Sequence, residues 1–259
     1  RGSSMRVRHR IGLSILCLGI TGSLAPLVLA ADAPPAVIAA AVADAARPEA
    51  DRVRDADRLP AEVTALAGIK PGSKVAEMWP GGGYFTRIFS KVVGANGVVY
   101  AWAPAPPPNA PPGRDPAAGI RALAAEAGYS NVKVVSLDPA VALPEAVDVV
   151  WTSLNYHDMH NREGYIDAVN KAALGALKPG GLYVIIDHAA QKGSGARDTP
   201  KLHRIDEDLV KKEVLAAGFE AAGESALLRH ADDGHDKSSH EVARGKSDQF
   251  MLMFRKPRK

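Results

Sequence analysis

Apolar runs alternate with amphipathic segments along most of the chain. The apolar runs predict seven strands, over residues 74–79, 97–103, 131–138, 146–154, 181–188, 224–230 and 248–256. The amphipathic segments predict helices over residues 61–67, 84–94, 117–128, 163–177 and 206–219. Strands without a polar face that alternate with helices are typical of a mostly parallel sheet covered by helices on both sides.

Sheets of this kind bind ligands at the carboxyl ends of their strands, where the strand order reverses. Glycine and polar residues follow several of the predicted strands. The strand ends of interest are Glu77–Tyr84, Trp102 and Ala103, Asp138, Asn155–His160, and Asp187 with His188. We therefore expect the functional residues to come from these positions.

The first 30 residues have the pattern of a secretory signal peptide. Arg1–Ser4 resemble an expression scar before Met5, and a basic run then leads into an apolar stretch over residues 11–30. Small residues around Ala30 suit a cleavage site. A membrane anchor is the alternative, although two glycines and a proline interrupt the stretch. We expect a periplasmic or secreted protein without a stable membrane anchor after cleavage.

The remaining sequence predicts a leader over residues 31–59, loose or partly helical, and one domain over residues 60–259. The single cysteine, Cys17, lies in the predicted signal peptide, so the mature chain has no disulfide, thiolate nucleophile or cysteine zinc site. Removing residues 1–30 deletes four of the 32 basic residues and none of the 29 acidic ones, which lowers the formal charge from +3 to −1. This balance gives no sign of nucleic-acid binding. We expect a small-molecule substrate, and the sequence indicates no oligomeric state.

The order of these parts resembles a class I S-adenosylmethionine-dependent methyltransferase. "KVAEMWPGGGYFT" resembles the first motif of that family, in which an acid in the strand precedes spaced glycines. "LKPGGLYVIIDH" resembles the segment through its fifth strand, and "VLAAGFE" and "DQFMLMFRKP" resemble its last helix and strand. The chain is most similar to an exported bacterial group of predicted methyltransferases that carry a W-P-G-G-G turn.

This resemblance implies a Rossmann-like α/β fold, with a seven-stranded mostly parallel sheet, an antiparallel last strand and helices on both faces. It also implies S-adenosylmethionine as cofactor. Glu77 would orient the glycine turn or reach the amino group of the cofactor, and Gly81 and Gly83 would admit its methionine portion. The implied cofactor-binding residues are Glu77, Trp79, Pro80, Gly81, Gly82, Gly83, Tyr84, Asp138 and Asn155. The alternative role for each of them is local capping of a loop.

The sequence departs from the family pattern at two positions. Trp79 replaces the first glycine of the motif, and the proline after it predicts an extended Trp79 with a turn that starts at Gly81. The indole could stack on an adenine or face a sulfonium cation, or it could fill the pocket. After the second strand, Trp102 and Ala103 stand where the family usually has an acid that holds the ribose hydroxyls.

All the histidines beyond the predicted signal peptide lie at or after His157. His157, His160, Asp187, His188 and His203 could converge at the ends of the fourth and fifth strands. One interpretation makes His157 or His188 a general base that Asp187 or Asp158 orients. A second makes several of these residues ligands of a divalent metal, and a third assigns them to loop capping. His157, Asp187 and His188 are the candidate catalytic residues.

Two functions follow from these patterns. The first is an exported methyltransferase-like enzyme that transfers a methyl group to an oxygen or nitrogen nucleophile of a small molecule. The second is a binding protein or a different enzyme on the same fold, in which Trp79 and Ala103 mark a lost cofactor site.

Overall fold

A central sheet of seven strands organises the structure, a computed structural model that describes residues 33–104 and 115–259. The strands follow the order β3-β2-β1-β4-β5-β7-β6. They are β1 (Lys74–Met78), β2 (Val98–Ala103), β3 (Val132–Ser136), β4 (Val147–Ser153), β5 (Leu177–His188), β6 (Glu220–Ser225) and β7 (Gln249–Arg255). The order reverses between β1 and β4, which places the predicted ligand edge at the carboxyl ends of these two strands.

The first five strands pair in parallel, and β7 runs antiparallel between β5 and β6. This arrangement confirms the predicted α/β fold with a mostly parallel sheet and an antiparallel last strand. Because both faces of the parallel strands are apolar, each face needs a layer of helices to exclude water.

Helices supply these two layers. One core contains side chains of α1, α4, α5 and α6 around Phe85, Phe89 and Trp151, and the other contains side chains of α7, α8 and α10 around Tyr156 and Tyr183. The helices are α1 (Ala36–Val42), α2 (Glu49–Arg52), α3 (Asp55–Arg58), α4 (Pro60–Leu66), α5 (Tyr84–Val93), α6 (Ala118–Ala125), α7 (Tyr156–His160), α8 (Tyr165–Ala176), α9 (Thr199–Leu202) and α10 (Glu207–Ala216). The predicted helices on both faces are therefore confirmed.

The segment before residue 60, expected as a leader, forms three short helices, and the first of them packs on the domain core. Ile38 and Ala41 of α1 are buried against α4 and α5, and the Arg47 side chain is buried between α1 and α3. The predicted signal peptide and residues 105–114, a proline-rich stretch after β2, lie outside the described residues. Among the residues that the structure describes, no helix has the length and apolarity needed to cross a membrane.

Two strand boundaries differ from the prediction. The fifth strand was predicted over 181–188, but it starts at Leu177, which pairs with Val147 across an irregularity in the register. The sixth strand was predicted over 224–230 and is wrong in position, because β6 starts directly after the buried Phe219 and ends at Ser225. As an edge strand it needs no apolar alternation. The apolar residue that favoured the later position, Leu228, is buried from a turn instead.

Candidate functional site

The turn between β1 and α5 depends on backbone conformations that favour glycine. Gly81 has a φ angle of 55° and Gly83 one of 85°, both in the left-handed region. The Gly83 N–H donates to the Pro80 carbonyl at 2.9 Å, and Gly83 then caps the first turn of α5. The turn therefore presents its backbone at the carboxyl end of β1, as the motif predicts.

The three glycines of this turn face different surroundings. A Cβ atom added at Gly81 or Gly82 would meet no other atom within 4 Å, so both positions border open space. A Cβ atom at Gly83 would lie 2.6 Å from Cδ2 of Leu123 and 3.1 Å from Cδ1 of Ile120, both in α6. Gly83 therefore packs against the side chains of α6, whereas Gly81 and Gly82 leave room for a ligand to approach.

Trp79 departs from the extended conformation predicted for it. Its φ angle is 48°, although its N–H still donates to the Trp102 carbonyl at 2.9 Å, as a strand residue would. The Asn155 side-chain amide donates to the Trp79 carbonyl at 3.2 Å and to the Ser153 carbonyl at 2.8 Å. The proline favours an extended Trp79, so the observed left-handed φ angle runs against that preference and the prediction was wrong at this residue. Asn155 thereby joins the ends of β1 and β4.

The Trp79 indole has a cation of this chain as its neighbour. The Arg162 guanidinium lies 5.8 Å from the centre of its ring, within cation–π range, and also 5.1 Å from the Tyr165 ring. Of the roles left open for this indole, the described contacts fit the filling of the pocket.

Glu77 is buried at the end of β1, with 4% of its surface exposed. The Thr86 hydroxyl donates to its Oε2 at 2.5 Å. Burial raises the pKa of Glu77 to about 8, while the Thr86 hydroxyl and the positive charges of Arg58 and Arg87 oppose the rise. Glu77 is therefore a carboxyl group that gains or loses its proton near neutral pH.

Arg58 lies beside Glu77 and was not predicted as a site residue. Its guanidinium donates to the Ser153 hydroxyl at 3.3 Å and lies 4.3 Å from the centre of the Tyr84 ring. Burial and the positive charge of Arg54 lower the pKa of Arg58 to about 10. A cation thus lies between the ends of β1 and β4, next to the glycine turn.

Charged residues around the N-terminal helices hold Tyr84, the ring on which Arg58 packs. Arg47 donates two hydrogen bonds of 2.7 Å to the Asp55 carboxylate, which also accepts one of 2.6 Å from the Tyr84 hydroxyl. Arg87 of α5 donates to Asp51 at 3.0 Å. Tyr84, a predicted cofactor residue, is buried at 4% exposure within this network. The alternating charges three and four residues apart over 47–58 are the sequence signal for such a helical surface.

The neighbouring strand ends carry fewer polar groups. Ala103 is buried at the end of β2, where the family acid was absent from the sequence, and the Trp102 indole donates to the Ser136 carbonyl at 3.0 Å. Asp138 is exposed after β3 and accepts a hydrogen bond from the Ala140 N–H. The described part of this edge therefore provides no acid at Ala103, and Asp138 caps its own loop.

Asp187 is the centre of the histidine side of the edge. It is fully buried and accepts three hydrogen bonds: from His157 N–H at 2.8 Å, from His157 Nδ1 at 2.8 Å and from His188 N–H at 2.7 Å. Burial opposes its ionisation, but His157 holds the pKa of Asp187 below its usual value. An ionised carboxylate only accepts, so it fixes the proton of His157 on Nδ1 and leaves Nε2 for another partner. Of the two acids considered, the structure brings Asp187 to His157 Nδ1.

The other two predicted histidines have different partners. His188 shares a hydrogen bond of 2.8 Å with the Ser247 hydroxyl, and burial lowers the pKa of His188 to about 4, which keeps the ring neutral. His160 Nε2 lies 2.8 Å from Glu213, which raises the pKa of His160. Both rings therefore have partners away from His157, whereas the His157 ring is oriented by a buried acid through Nδ1 and makes no hydrogen bond through Nε2 to any residue that the structure describes.

Two further groups face this free nitrogen. Asp158 Oδ1 lies 3.5 Å from His157 Nε2 and 3.6 Å from His203 Nδ1. His203 follows α9 with a φ angle of 52°, and Leu154, just after β4, has one of 61°. Strained residues of this kind cluster at functional sites. The structure therefore brings His157, Asp187, His188 and His203 together, and places His160 against α10.

Comparison with known proteins identifies the fold. No family model and no curated protein matches this chain. A solved S-adenosylmethionine-dependent methyltransferase from Aquifex aeolicus is 20% identical, with a TM-score of 0.54 over 79% of this chain and 95% of that protein. CrArsM, an arsenic(III) S-adenosylmethionine methyltransferase from Chlamydomonas reinhardtii, is 17% identical, with a TM-score of 0.54 over 87% of this chain and 74% of that protein.

A third solved structure of the same fold is described by a different reaction. The [4+2]-cyclase SpnF is 17% identical, with a TM-score of 0.55 over 78% of this chain and 81% of that protein. The chain therefore has the fold of class I methyltransferases. Because a fold hosts more than one chemistry, the activity has to be argued from the site.

Proposed function

We propose that this chain binds S-adenosylmethionine and transfers its methyl group to an oxygen or nitrogen nucleophile of a small molecule. The observation that carries the proposal is the open backbone of Gly81 and Gly82 beside the buried Glu77, at the sheet edge where this fold binds ligands. Gly81 has a left-handed φ angle, which glycine adopts without the steric cost that a side chain would add.

The residues present fit the methionine portion of such a cofactor better than its ribose. The turn provides open backbone, Glu77 a buried carboxyl group, and Arg58 a cation for a carboxylate. Ala103 provides no acceptor for the ribose hydroxyls, and each hydrogen bond lost to a charged acceptor costs about 1.5–3 kcal/mol. When bound, S-adenosylmethionine supplies a methyl group that a nucleophile can attack.

We assign His157 as the general base that deprotonates the methyl acceptor. Asp187 holds its Nδ1 proton, so Nε2 can take a proton from a hydroxyl or an amine. His157 is two residues beyond Asn155, which bonds to the Trp79 carbonyl before the glycine turn, so both groups lie at one sheet edge. We also propose that the protein acts outside the cytoplasm, periplasmic or secreted, on the pattern of residues 1–30.

A second candidate function is a binding protein or another enzyme on this fold. Two observations favour it: Ala103 at the end of β2 offers no acceptor for ribose hydroxyls, and Arg162 lies over the Trp79 indole on which an adenine could stack. Binding of S-adenosylmethionine separates the two candidates.

Isothermal titration calorimetry of the purified chain with S-adenosylmethionine and S-adenosylhomocysteine tests the proposal. The variant Gly82→Val fills open space without a left-handed φ angle, so it should fold and should weaken binding tenfold or more. Gly175→Val makes the same change in open space near the end of α8, at the opposite edge of the sheet, and should bind like the wild type. The absence of binding heat at millimolar ligand would overturn the proposal. Unchanged binding by Gly82→Val would show that the glycine turn does not contact the cofactor.

A further inference from the structure

We propose that His157, Asp158 and His203 form a binding site for a divalent transition metal, with zinc as the best fit. Their ligand atoms, Nε2 of His157, Oδ1 of Asp158 and Nδ1 of His203, all lie within 4.8 Å of one another. Two imidazoles and one carboxylate are ligands that zinc and iron(II) accept, whereas magnesium and calcium prefer oxygen alone.

The distances suit a tetrahedral ion. Metal–ligand bonds of about 2.0–2.1 Å place two tetrahedral ligand atoms roughly 3.4 Å apart. Asp158 Oδ1 lies 3.5 Å from the first histidine nitrogen and 3.6 Å from the second. Shifts of a few tenths of an ångström would complete these two contacts, and a rotation of the partly exposed His203 ring would bring the two nitrogens closer.

Asp187 is placed as the supporting residue of such a site. Histidine ligands usually donate their second nitrogen to a carboxylate, which fixes the tautomer and makes the bound nitrogen a better donor. Asp187 accepts from His157 Nδ1 at 2.8 Å and from the His157 backbone N–H, and it is fully buried. In the neutral ring, the nitrogen that faces Asp158 and His203 is therefore the one that carries a lone pair.

The site is open on one side. The side chains of Asp158 and His203 are 37% and 33% exposed, while that of His157 is 4% exposed. Three protein ligands with solvent on the remaining side are typical of a catalytic zinc site, which keeps one position for water or substrate. The neighbouring cation, Arg204, is turned away from the site, because its guanidinium is bonded to Asp233 and to the Ala189 and Lys237 carbonyls.

The proposal stands on these side chains and does not depend on methyl transfer. Both proposals use the lone pair of His157 Nε2, which cannot hold a metal ion and accept a proton at once. If both hold, His157 would be a ligand in the loaded protein, and the metal would supply the acidity of a bound hydroxyl, whose proton would pass to water. The tests remain separate because metal binding is measured without cofactor.

Calorimetric titration of the chelator-treated full chain with zinc chloride, together with elemental analysis, tests the site. The wild type should bind one zinc ion per chain. His203→Asn and Asp158→Asn each remove a ligand at a partly exposed position, so both should fold and should weaken zinc binding 100-fold or more. Asp187→Asn should weaken it about 10–100-fold, since it removes only the support.

His230→Asn is the matched control, because His230 is a partly exposed histidine outside the three ligands. Its zinc affinity should equal that of the wild type. Circular dichroism should show native folds for all four variants. Less than one zinc ion per five chains in the wild type would overturn the proposal. Affinity that survives in His203→Asn would overturn it as well, because the bound zinc would then be on other surface groups.

Discussion

The two halves of the ligand edge are built in opposite ways. The half at β1 and α5, the glycine half, has no side chain of the described residues over its turn, because Gly81 and Gly82 leave open space above the backbone. The half at β4 and β5, the histidine half, is built from side-chain contacts, because buried Asp187 accepts three hydrogen bonds from His157 and His188. Substitutions that add atoms therefore test the first half, and substitutions that remove atoms test the second.

The largest effect is expected where atoms are removed from the histidine half. Asp187→Ala leaves two backbone N–H groups and one imidazole without their acceptor in a buried site. We expect the free energy of unfolding to fall by about 3–5 kcal/mol, as when one partner of a buried ion pair is lost. Asp187→Asn keeps the shape and one oxygen, so its loss should be smaller, about 1–3 kcal/mol. Urea denaturation followed by circular dichroism measures both, and a loss below about 1 kcal/mol for Asp187→Ala would contradict the contrast between the halves.

The next effect comes from adding one carbon to the glycine half. Gly83→Ala places a Cβ at a φ angle of 85° and 2.6 Å from Leu123, so we expect a loss of about 1–3 kcal/mol in unfolding free energy. Gly82→Ala meets open space and should stay within about 0.5 kcal/mol of the wild type. The same denaturation experiment measures both. Equal losses in the two variants would contradict the assignment of Gly83 to helix packing and of Gly82 to open space.

The third effect is a pH dependence that comes from Glu77, and over a single pH unit it is the smallest of the three. Burial raises its folded pKa to about 8, above its ordinary value of 4.5, so the folded state binds a proton that the unfolded chain releases. The stability contributed by the protonated carboxyl is complete below about pH 4.5 and is lost as the pH rises through 8. Relative to Glu77→Gln, the wild type should lose up to about 1.4 kcal/mol between pH 6 and 7.

Denaturation of both proteins across pH 5–9 measures this difference. Glu77→Gln can still accept the Thr86 hydroxyl, so the comparison isolates the titration. Parallel pH profiles for the two proteins would place the Glu77 pKa near its ordinary value and would contradict the effect of burial on this carboxyl group.

The sequence predicts the sheet and its ligand edge because the signals are repeated and local. Each apolar run and each following glycine or polar residue supports the same parallel arrangement. The place of β6 was wrong, because an edge strand with residues such as Glu220 and Glu224 lacks the apolar content on which strand prediction depends.

The partners within the site could not be predicted in the same way. The sequence left Asp187 and Asp158 as equal candidates to orient His157, because the choice depends on α7, a five-residue helix that turns His157 back over β5. Arg58 was missed because a charged segment with few apolar residues predicts a leader rather than part of a buried network. Such contacts join distant parts of the chain, so no local pattern carries them.

The strand order has a consequence for the time at which each half forms. The contacts of the glycine half with the N-terminal helices lie within the first 103 residues, including the bond between Tyr84 and Asp55 that closes 29 residues. The histidine half needs Asp187 and the Ser247 partner of His188. At about 5–20 residues per second, residue 247 leaves the ribosome roughly 7–30 s after residue 103. The glycine turn can therefore assemble with β1, β2 and the N-terminal helices first, and the histidine side is completed last.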